Sequence, residues 1–375
     1  MHTLRSSPCT GHPELDTFDK LLRGCVEAIT NSDLTELQWI QASLPVRNGG
    51  LGVRRVSSLA PSAFLASAAG TRDLQALILS KCQCPTDSHI TSAMSVWTSR
   101  VGSASSAVRD SSKQHSWDQP CVEADIIALK SALTDSRDKA RFLAVSAPHS
   151  GDWLNALPIT TCGLRLDNES IRIAVGLRLG CKLCEPHKCP CGVQVDTLGS
   201  HGLSCRQSSD RSARHFQLND CIWRALQRAD IPSAKEPLGL IRTDGKHPDG
   251  LTLIPWKGGK SMTWDAKVTD TVAESYLSTS AVEATAAAEA AAGRKEAKYA
   301  QIINTHFFVH LAFETLGPIN SKGATFLSEL GRRISTCTGD PRETSFLFQR
   351  LSVTIQRFYR IAFEGSFIHT ADSDS

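Results

Sequence analysis

Through the first half of the chain, apolar residues recur every three or four positions, which is the spacing of an amphipathic helix. The stretches RDLQALILS and EADIIALKSAL show this pattern. Composition divides this half into two predicted helical segments, residues 1–70 and residues 71–175. Within the second, the serine-rich residues 102–120 lack the pattern and are predicted to form a flexible loop. The N-terminal half is therefore expected to be helical.

Beyond residue 211 the pattern changes, because helical and strand-like stretches alternate. A first helix is predicted from the shared apolar face of Leu218, Ile222 and Leu226. The stretches that follow are three strands, an alanine-rich helix, a buried strand and a final helix: PLGLIRT, GLTLIPW, SMTWDAKV, SAVEATAAAEAAAGRKEAKYAQII, THFFVHLAFE and SFLFQRLSVTIQRFYRIAF. This order predicts a domain of the α+β or α/β class over residues 211–375, with a mixed central sheet.

Within this domain, residues 247–270 read HPDGLTLIPWKGGKSMTWDAKVTD and are predicted to form a β-hairpin that turns at WKGGK. Side chains alternate along a strand, so Asp265 and Lys267 project from the same face. Asp249 lies where the first strand begins, and pairing of the strands can bring it towards Asp265. Two converging carboxylates would bind a hard cation such as Mg²⁺. Such a site could hydrolyse a phosphodiester, with a lysine stabilising charge on the phosphate.

Between the helical half and this domain lies a short segment, residues 176–210, that is rich in cysteine and histidine. Structural zinc takes four such ligands in a tetrahedron. The predicted ligands form two closely spaced pairs: Cys189 with Cys191, and His201 with Cys205. Only one residue separates the members of the first pair, so Cys184 remains an alternative to either of them. Because the segment has few apolar residues, metal would supply much of its stability.

Composition and charge add limits on the class of protein. At 375 residues, the chain is long enough for two or three domains. A formal net charge of +3 is too small to indicate a nucleic-acid partner by itself. No run approaches the roughly eighteen apolar residues of a membrane span, and the first residues lack the apolar core of a secretory signal. We therefore expect a nuclear or cytoplasmic protein without a membrane partner, whose 13 cysteines are reduced thiols.

A resemblance to a known family rests on motifs that occur in order along the chain. The motifs that resemble the C-terminal endonuclease of non-LTR retrotransposon proteins are RHFQLNDCIWRAL, EPLGLIRTDGKHPDG, TLIPW, WDAKVTDT, KEAKY and FETLG. The Cys/His segment directly upstream looks like the zinc knuckle that precedes that endonuclease. The stretch LPVRNGGLGVRRVSSLAPSAFLAS is similar to the segment that follows the reverse transcriptase domain in the same proteins. The resemblance covers nearly the whole chain.

The resemblance implies a restriction-endonuclease-like domain in which Asp249 and Asp265 bind Mg²⁺ or Mn²⁺. In relatives of this type the working lysine often comes from the helix after the second strand, so Lys298 is favoured here. Lys267 is the next candidate. Lys295 precedes Lys298 by three residues and shares its helix face.

Three further residues receive roles from the same resemblance. Arg214 and His215 begin the first helix of the domain and could reach a DNA phosphate; His215 could instead be a core histidine. Glu236 could be a further acid near the metal, or a carboxylate that only begins a strand.

The expected function is that of a metal-dependent DNA endonuclease that nicks a target strand. DNA is the expected partner, with element RNA as a second nucleic-acid candidate. The chain contains no Asp-Asp dipeptide, so it lacks the Tyr-x-Asp-Asp metal site of reverse transcriptases. It looks like the C-terminal part of a retrotransposon protein, and a reverse transcriptase would have to come from another chain. The alternative is a catalytically inactive remnant that binds nucleic acid through its zinc knuckle and basic helices.

Overall fold

The computed structural model describes residues 2–79, 87–102, 108, 110–208, 210–240 and 247–368. The chain divides into two compact units: Met1–Pro45 with Gly50–Leu133, and Val46–Gly49 with Thr134–Ser375. The main division therefore lies after residue 133, whereas composition had placed segment ends at residues 70, 175 and 210. Composition reflects local sequence, but a compact unit is defined by contacts between segments that are distant in the chain.

The first unit is built from helices. They are α1 (His2–Ser6), α2 (Pro13–Thr30), α3 (Glu36–Ser43), α4 (Val56–Gly70), α5 (Arg72–Ile78), α6 (Ser88–Val101) and α7 (Gln114–Ala132). One of its buried clusters contains Trp97 of α6 and Trp117 of α7, whose ring centroids are 5.1 Å apart in an edge-to-face arrangement. The predicted helical character of these segments is confirmed.

The predicted loop at residues 102–120 is wrong at its C-terminal end, because α7 begins at Gln114. Trp117 is buried, and its carbonyl oxygen accepts a hydrogen bond of 2.8 Å from the indole nitrogen of Trp97. This contact with α6 stabilises the helical conformation of residues that the serine-rich composition had assigned to a loop. Part of the predicted loop lies outside the described residues: 103–107 and 109.

The second unit combines helices with two small sheets. Its helices are α8 (Ser136–Val145), α9 (Asn168–Leu179), α10 (His201–Ser204), α11 (Asp210–Arg228), α12 (Glu274–Ser280), α13 (Ala286–Lys298), α14 (Ala300–Ile303), α15 (Ser321–Thr338) and α16 (Glu343–Glu364). Its strands are β1 (His187–Lys188), β2 (Gln194–Val195), β3 (Ser233–Lys235), β4 (Gly250–Lys257), β5 (Lys260–Thr269) and β6 (Phe307–Glu314). Among the helices within the described part of the chain, none combines the length and apolar character that crossing a membrane requires.

The larger sheet has four strands in the order β3-β4-β5-β6. The pairs β3–β4 and β4–β5 are antiparallel, whereas β5 and β6 are parallel. A parallel pair needs a crossover connection, and α12, α13 and α14 lie in that connection. The predictions of a mixed α+β fold and of a mixed sheet are thus confirmed.

The predicted hairpin is also confirmed, since β4 and β5 pair on either side of Gly258 and Gly259. Both glycines have positive φ angles, 58° and 74°, which a tight hairpin turn requires and which residues with a Cβ rarely adopt.

The strand predicted in PLGLIRT is wrong where the structure describes it, because Leu238–Leu240 form a short 3₁₀ helix. The strand that pairs with β4 is instead β3, immediately before this stretch. Glu236 follows β3 with a φ of 49° and turns the chain away, and Pro237 offers no N–H for sheet pairing. Residues 241–246 lie outside the described part of the chain.

The two faces of β5 and β6 are covered differently. One face packs on α11, α15 and α16 in the main core, which includes Trp264, Leu311 and Phe313. The other face meets α13, whose buried alanines pack on Ala312. Alanine side chains allow a close approach of helix to sheet. The polar residues of β5 on this second face are therefore brought near α13.

Candidate functional site

The two predicted acids lie side by side at the start of the hairpin. Gly250 pairs with Trp264, so Asp249 and Asp265 stand opposite each other in the antiparallel register. The N–H of Asp249 donates to the carbonyl oxygen of Trp264 at 2.9 Å, and Oδ2 of Asp249 accepts the N–H of Ala266 at 2.6 Å. These hydrogen bonds fix the Asp249 carboxylate against the second strand.

Trp264 explains why a glycine follows Asp249. A Cβ at Gly250 would lie 2.0 Å from the Trp264 ring, so only glycine leaves room for this side chain. The indole nitrogen of Trp264 donates to Oδ1 of Asn219 at 2.7 Å, within the core. Trp264 is thus anchored to α11, and the next residue, Asp265, is held in place with its side chain on the opposite face.

Asp265 is only 4% exposed, and three polar side chains surround its carboxylate. Lys295 Nζ lies 2.8 Å and Tyr299 Oη 3.1 Å from Oδ2, while His310 Nε2 lies 3.7 Å from Oδ1. Burial lowers the pKa of His310 to about 4, so its imidazole is neutral at physiological pH. Lys295 therefore supplies the positive charge nearest to this carboxylate among the three.

Lys295 reaches Asp265, whereas Lys298, which the resemblance favours, is exposed to solvent. Which lysine takes part in catalysis stays a prediction. The buried stripe of α13 runs through Ala288, Ala291 and Ala292 and continues through Lys295 to the buried ring of Tyr299. Lys295 stands four residues after Ala291 and four before Tyr299, on the face towards the sheet. Lys298 is exposed although it follows Lys295 by three residues, so the face expected for both lysines is not shared. Lys295 also lines a cavity beside the two acids, and Lys298 is absent from the described lining of that cavity.

We call this space, of about 360 Å³, the acidic cavity; it is lined by His215, His247, Asp249, Asp265, Ala266, Lys267, Lys295 and Tyr299. Lys267, the second lysine that the sequence indicated, therefore also reaches the site. Desolvation and the positive charges of Lys295, Arg294 and Arg211 lower the pKa of Lys267. The side chains of Lys267 and Lys295 therefore share this cavity with the carboxylates of Asp249 and Asp265.

His215 contacts an acid in this structure. Its Nε2 lies 3.1 Å from Oδ2 of Asp249, and this hydrogen bond raises the pKa of His215. Arg214 is 4% exposed and donates to the carbonyl oxygen of Leu203 at 3.4 Å. Contact of these two side chains with a DNA phosphate stays a prediction. Glu236 lines a neighbouring cavity and is absent from the described lining of the acidic cavity.

The Cys/His segment folds so that four of its side chains converge. The ligand atoms of Cys189, Cys191, His201 and Cys205 all lie within 4.8 Å of one another. The Sγ atoms of Cys189 and Cys205 are 3.8 Å apart, and Cys191 Sγ is 3.2 Å from His201 Nε2. In a tetrahedral site with zinc–sulfur bonds of about 2.3 Å, two sulfurs would be about 3.8 Å apart. The cluster could therefore hold a metal such as zinc.

Two thiols of this cluster differ in their acidity. The N–H of Val193 and neighbouring side chains lower the pKa of Cys191 to about 6, so its metal-binding thiolate form exists at neutral pH. Burial raises the pKa of Cys189 to about 11, so this thiol would release its proton on binding a metal.

The alternative ligand Cys184, and His187 of the same segment, have different contacts. Cys184 Sγ lies 3.4 Å from the carbonyl oxygen of Asp196, and Cys184 is outside the four-residue cluster. The ring of His187 stacks on Phe367 at 4.0 Å, and its Nε2 lies 3.0 Å from Ser366 Oγ. The geometry thus supports the predicted set of Cys189, Cys191, His201 and Cys205 without Cys184.

Sequence reasoning missed Tyr299 and His247 in the lining of the acidic cavity, and it missed the buried His310 beside Asp265. Tyr299 is the last residue of KEAKY, and the alanine stripe at three- and four-residue intervals could have identified both Tyr299 and Lys295 as residues facing the sheet. His310 needed the register of β6, which places it opposite Asp265 and which the sequence pattern does not define.

Comparison with known proteins adds no relative to this picture. No protein-family model matches the sequence, and no curated protein gives a significant match.

Proposed function

We propose that the second unit is a metal-dependent DNA endonuclease with a restriction-enzyme-like fold. The observation that carries the proposal is that two acids and two lysines meet in one cavity, with Asp249 and Asp265 opposite Lys267 and Lys295. Metal-assisted phosphodiester hydrolysis uses such a set of groups. The motifs that resemble non-LTR retrotransposon endonucleases occur at these same residues and support the same reaction.

The carboxylates and the ammonium groups would have separate roles. Asp249 and Asp265 would hold Mg²⁺ or Mn²⁺, because such cations accept one or two carboxylates together with waters and phosphate oxygens. When bound, the cation would polarise the phosphate and make a bound water more acidic. Lys295 and Lys267 would place positive charge where the phosphate gains negative charge during hydrolysis.

Two neighbouring side chains would keep the acids in position. His215 bonds to Asp249, and Tyr299 bonds to Asp265. Neighbours that hydrogen-bond to metal ligands orient them and tune their affinity for the metal. Both residues would therefore act through the carboxylates.

The connection between the strands supports the restriction-enzyme-like assignment. The acids lie on an antiparallel hairpin, and the second strand pairs in parallel with β6 through a crossover. The crossover contains α13, which delivers Lys295 to Asp265. In the Asp-x-Lys pattern the lysine beside the metal-binding acid is on the strand itself. Here a lysine on α13 can take the same position beside Asp265.

For the second site we propose that Cys189, Cys191, His201 and Cys205 bind zinc in a structural role. Three thiols and one imidazole form a common ligand set for structural zinc, which closes all four positions with protein ligands. The distances within the cluster support this assignment.

Nicking of supercoiled plasmid by the full-length, zinc-loaded protein in Mg²⁺ or Mn²⁺ tests the nuclease. We expect Asp249→Asn and Lys295→Ala to lower the nicking rate by about 100-fold or more, since each removes a group from the charge-stabilising set. Lys298→Ala is the matched control on the same helix and should nick within about twofold of the wild type, because its side chain is exposed.

Each outcome of this experiment has a distinct meaning. Wild-type nicking by Asp249→Asn would show that the acid site is wrongly assigned. Loss of nicking in Lys298→Ala, with nicking retained in Lys295→Ala, would assign the catalytic role to Lys298. A folded, zinc-loaded protein that binds DNA without nicking it would favour the binding remnant, a function to which the basic lining beside the acidic cavity is also suited.

A further inference from the structure

A second cavity, of about 530 Å³, adjoins the acidic cavity. The two share three lining residues, His215, Ala266 and Lys267. The remaining lining of the second cavity consists of Arg206, Ser208, Arg211, Ser212, Arg214, Phe216, Leu218, Glu236 and Val268. Four Lys or Arg side chains face one carboxylate there, so the space carries a positive charge. We call it the basic groove.

Phe216 is the unusual residue in this groove. Its side chain is 59% exposed although the groove is lined mainly by polar and charged residues. Single exposed apolar residues are common on protein surfaces and need no function by themselves. Phe216, however, directly follows His215, which bonds to Asp249. An aromatic ring therefore lines the basic groove at the residue after His215, which lines both cavities.

One charged side chain lies near the Phe216 ring. Lys235 Nζ lies 5.2 Å from its centroid and 4.6 Å from that of Trp223, within the range of cation–π attraction. Lys235 is itself held by Asp220, at 2.6 Å from Oδ1. This contact favours one placement of the ring before a ligand binds, which lowers the entropic cost of stacking on it.

A stacking ring selects a particular form of DNA. In a duplex each base face is covered by its neighbours, so a protein ring can stack only on a base that has left the helix. Positive groups that follow the backbone, combined with exposed aromatic rings, are typical of surfaces that bind single strands. A groove for intact duplex alone would need the charges and would have no use for the ring.

We propose that the basic groove binds an unpaired DNA strand and that one of its bases stacks on Phe216, close to the phosphate to be cut. The inference rests on the proposed function for the identity of the nucleic acid, and it deepens that proposal. The substrate class is DNA with unpaired nucleotides at the cut site, as in a bubble, a frayed end or a flap. Arg206 and Arg211 hold the backbone of this strand.

The test measures binding alone, with the full-length zinc-loaded protein and no added Mg²⁺ or Mn²⁺. Fluorescence anisotropy gives the affinity for a labelled single-stranded oligonucleotide and for the matching duplex. Because each stacked base contributes substantially to binding, Phe216→Ala is expected to lower single-strand affinity about 5-fold to 100-fold and to reduce the preference over duplex accordingly. Phe216→Trp, which keeps an aromatic face, should retain that preference.

Leu253→Ala is the matched control, because Leu253 is 62% exposed on β4 and lines neither cavity in the described structure. It should leave the single-strand preference unchanged. An equal loss for single strand and duplex in Phe216→Ala, or no loss for either, would overturn the proposal. Plasmid nicking is a separate measurement. Single-strand binding that depends on Phe216, without any nicking, would contradict the proposed nuclease and support the binding groove. Nicking together with single-strand binding that does not depend on Phe216 would contradict the binding groove alone.

Discussion

Asp265 shows how neighbouring groups can compensate a carboxylate for its burial. Removing an ion from water costs several kcal/mol unless hydrogen bonds and an opposite charge compensate for the loss. At Asp265 the ammonium of Lys295 and the hydroxyl of Tyr299 share Oδ2, at 2.8 and 3.1 Å. The second oxygen, Oδ1, faces the neutral His310 at 3.7 Å. Two short hydrogen bonds therefore hold Oδ2 of Asp265 in place, whereas the contact of Oδ1 with His310 is longer.

Tyr299 provides a residue-scale prediction. Tyr299→Phe removes the hydroxyl from Asp265 and keeps the ring that stacks on Phe308 at 4.6 Å. Loss of a hydrogen bond to a metal ligand commonly costs about 10- to 100-fold in metal affinity or activity. We expect plasmid nicking to need a higher Mn²⁺ concentration in this variant, with saturating Mn²⁺ recovering part of the rate. Titrating Mn²⁺ against nicking rate measures the effect.

The control is Tyr276→Phe, since Tyr276 interacts with Arg294 through its ring at 4.9 Å and is not in the described lining of the acidic cavity. Its Mn²⁺ dependence should match that of the wild type. Equal Mn²⁺ dependence in both variants would mean that Tyr299 has a packing role alone.

At the scale of elements, α13 depends on β6 for its first turn. Thr285 precedes the helix without a side-chain cap, and Glu314 at the end of β6 accepts the N–H of Ala288 at 3.0 Å. A carboxylate at a helix N-terminus accepts hydrogen bonds from the N–H groups of the first turn, and its negative charge interacts favourably with the helix dipole. Glu314 thus links the strand to the helix that carries Lys295.

Glu314 also makes the stability of this link dependent on pH. Burial raises its pKa above the ordinary value of 4.5, so with rising pH the unfolded chain loses this proton before the folded protein does. The stability present below about pH 4.5 is therefore lost as the pH rises towards the folded-state pKa. Glu314→Gln removes this ionisation and keeps an oxygen for Ala288. We expect its free energy of unfolding to fall less than that of the wild type as the pH rises above the ordinary glutamate value of 4.5.

Urea unfolding at a series of pH values measures this difference. Glu274→Gln, which replaces an exposed glutamate in α12, is the control and should follow the wild-type dependence on pH. Parallel curves for Glu314→Gln and the wild type would contradict the assigned role of burial.

Several elements around the site could be predicted because their signals are local. The hairpin follows from two glycines between β-type residues, and the alanine-rich helix, the buried strand and the final helix follow from propensity and periodicity. Other features depend on distant residues. The short strand β3 is formed by pairing with β4, and α7 is stabilised by Trp97 in another helix. The parallel register of β5 and β6, and with it the position of His310, also lies beyond local patterns.

At the scale of the whole molecule, the Cys/His cluster is packed against the last helix of the second unit. A Cβ at Gly202 would lie 2.4 Å from the carbonyl oxygen of Ala362, and one at Gly199 would lie 2.3 Å from the ring of Phe363. The segment and α16 thus approach so closely that both positions require glycine. Structural metal in the cluster would hold this contact in place.

Loss of the metal should therefore lower the stability of the second unit. We expect Cys205→Ala to abolish stoichiometric zinc binding and to lower the temperature of thermal unfolding by several degrees, since metal binding contributes directly to folding. Metal analysis of the purified protein and a thermal scan measure both quantities.

Cys184→Ala is the matched control, because Cys184 belongs to the same segment and lies outside the cluster. It should retain zinc at the wild-type stoichiometry. Zinc loss from Cys184→Ala with retention in Cys205→Ala would show that the ligand set is wrong.

The crossover between β5 and β6 has a consequence for the protein while it is being made. A ribosome releases Asp249 and Asp265 before Lys295, which follows Asp265 by 30 residues, and before β6, against which α13 packs. Until β6 emerges and pairs with β5, no surface holds α13 over the acids. A nascent chain therefore contains both carboxylates without an assembled cavity. On the proposed function, the unfinished chain would therefore lack its site for cutting nucleic acid until synthesis has passed the crossover.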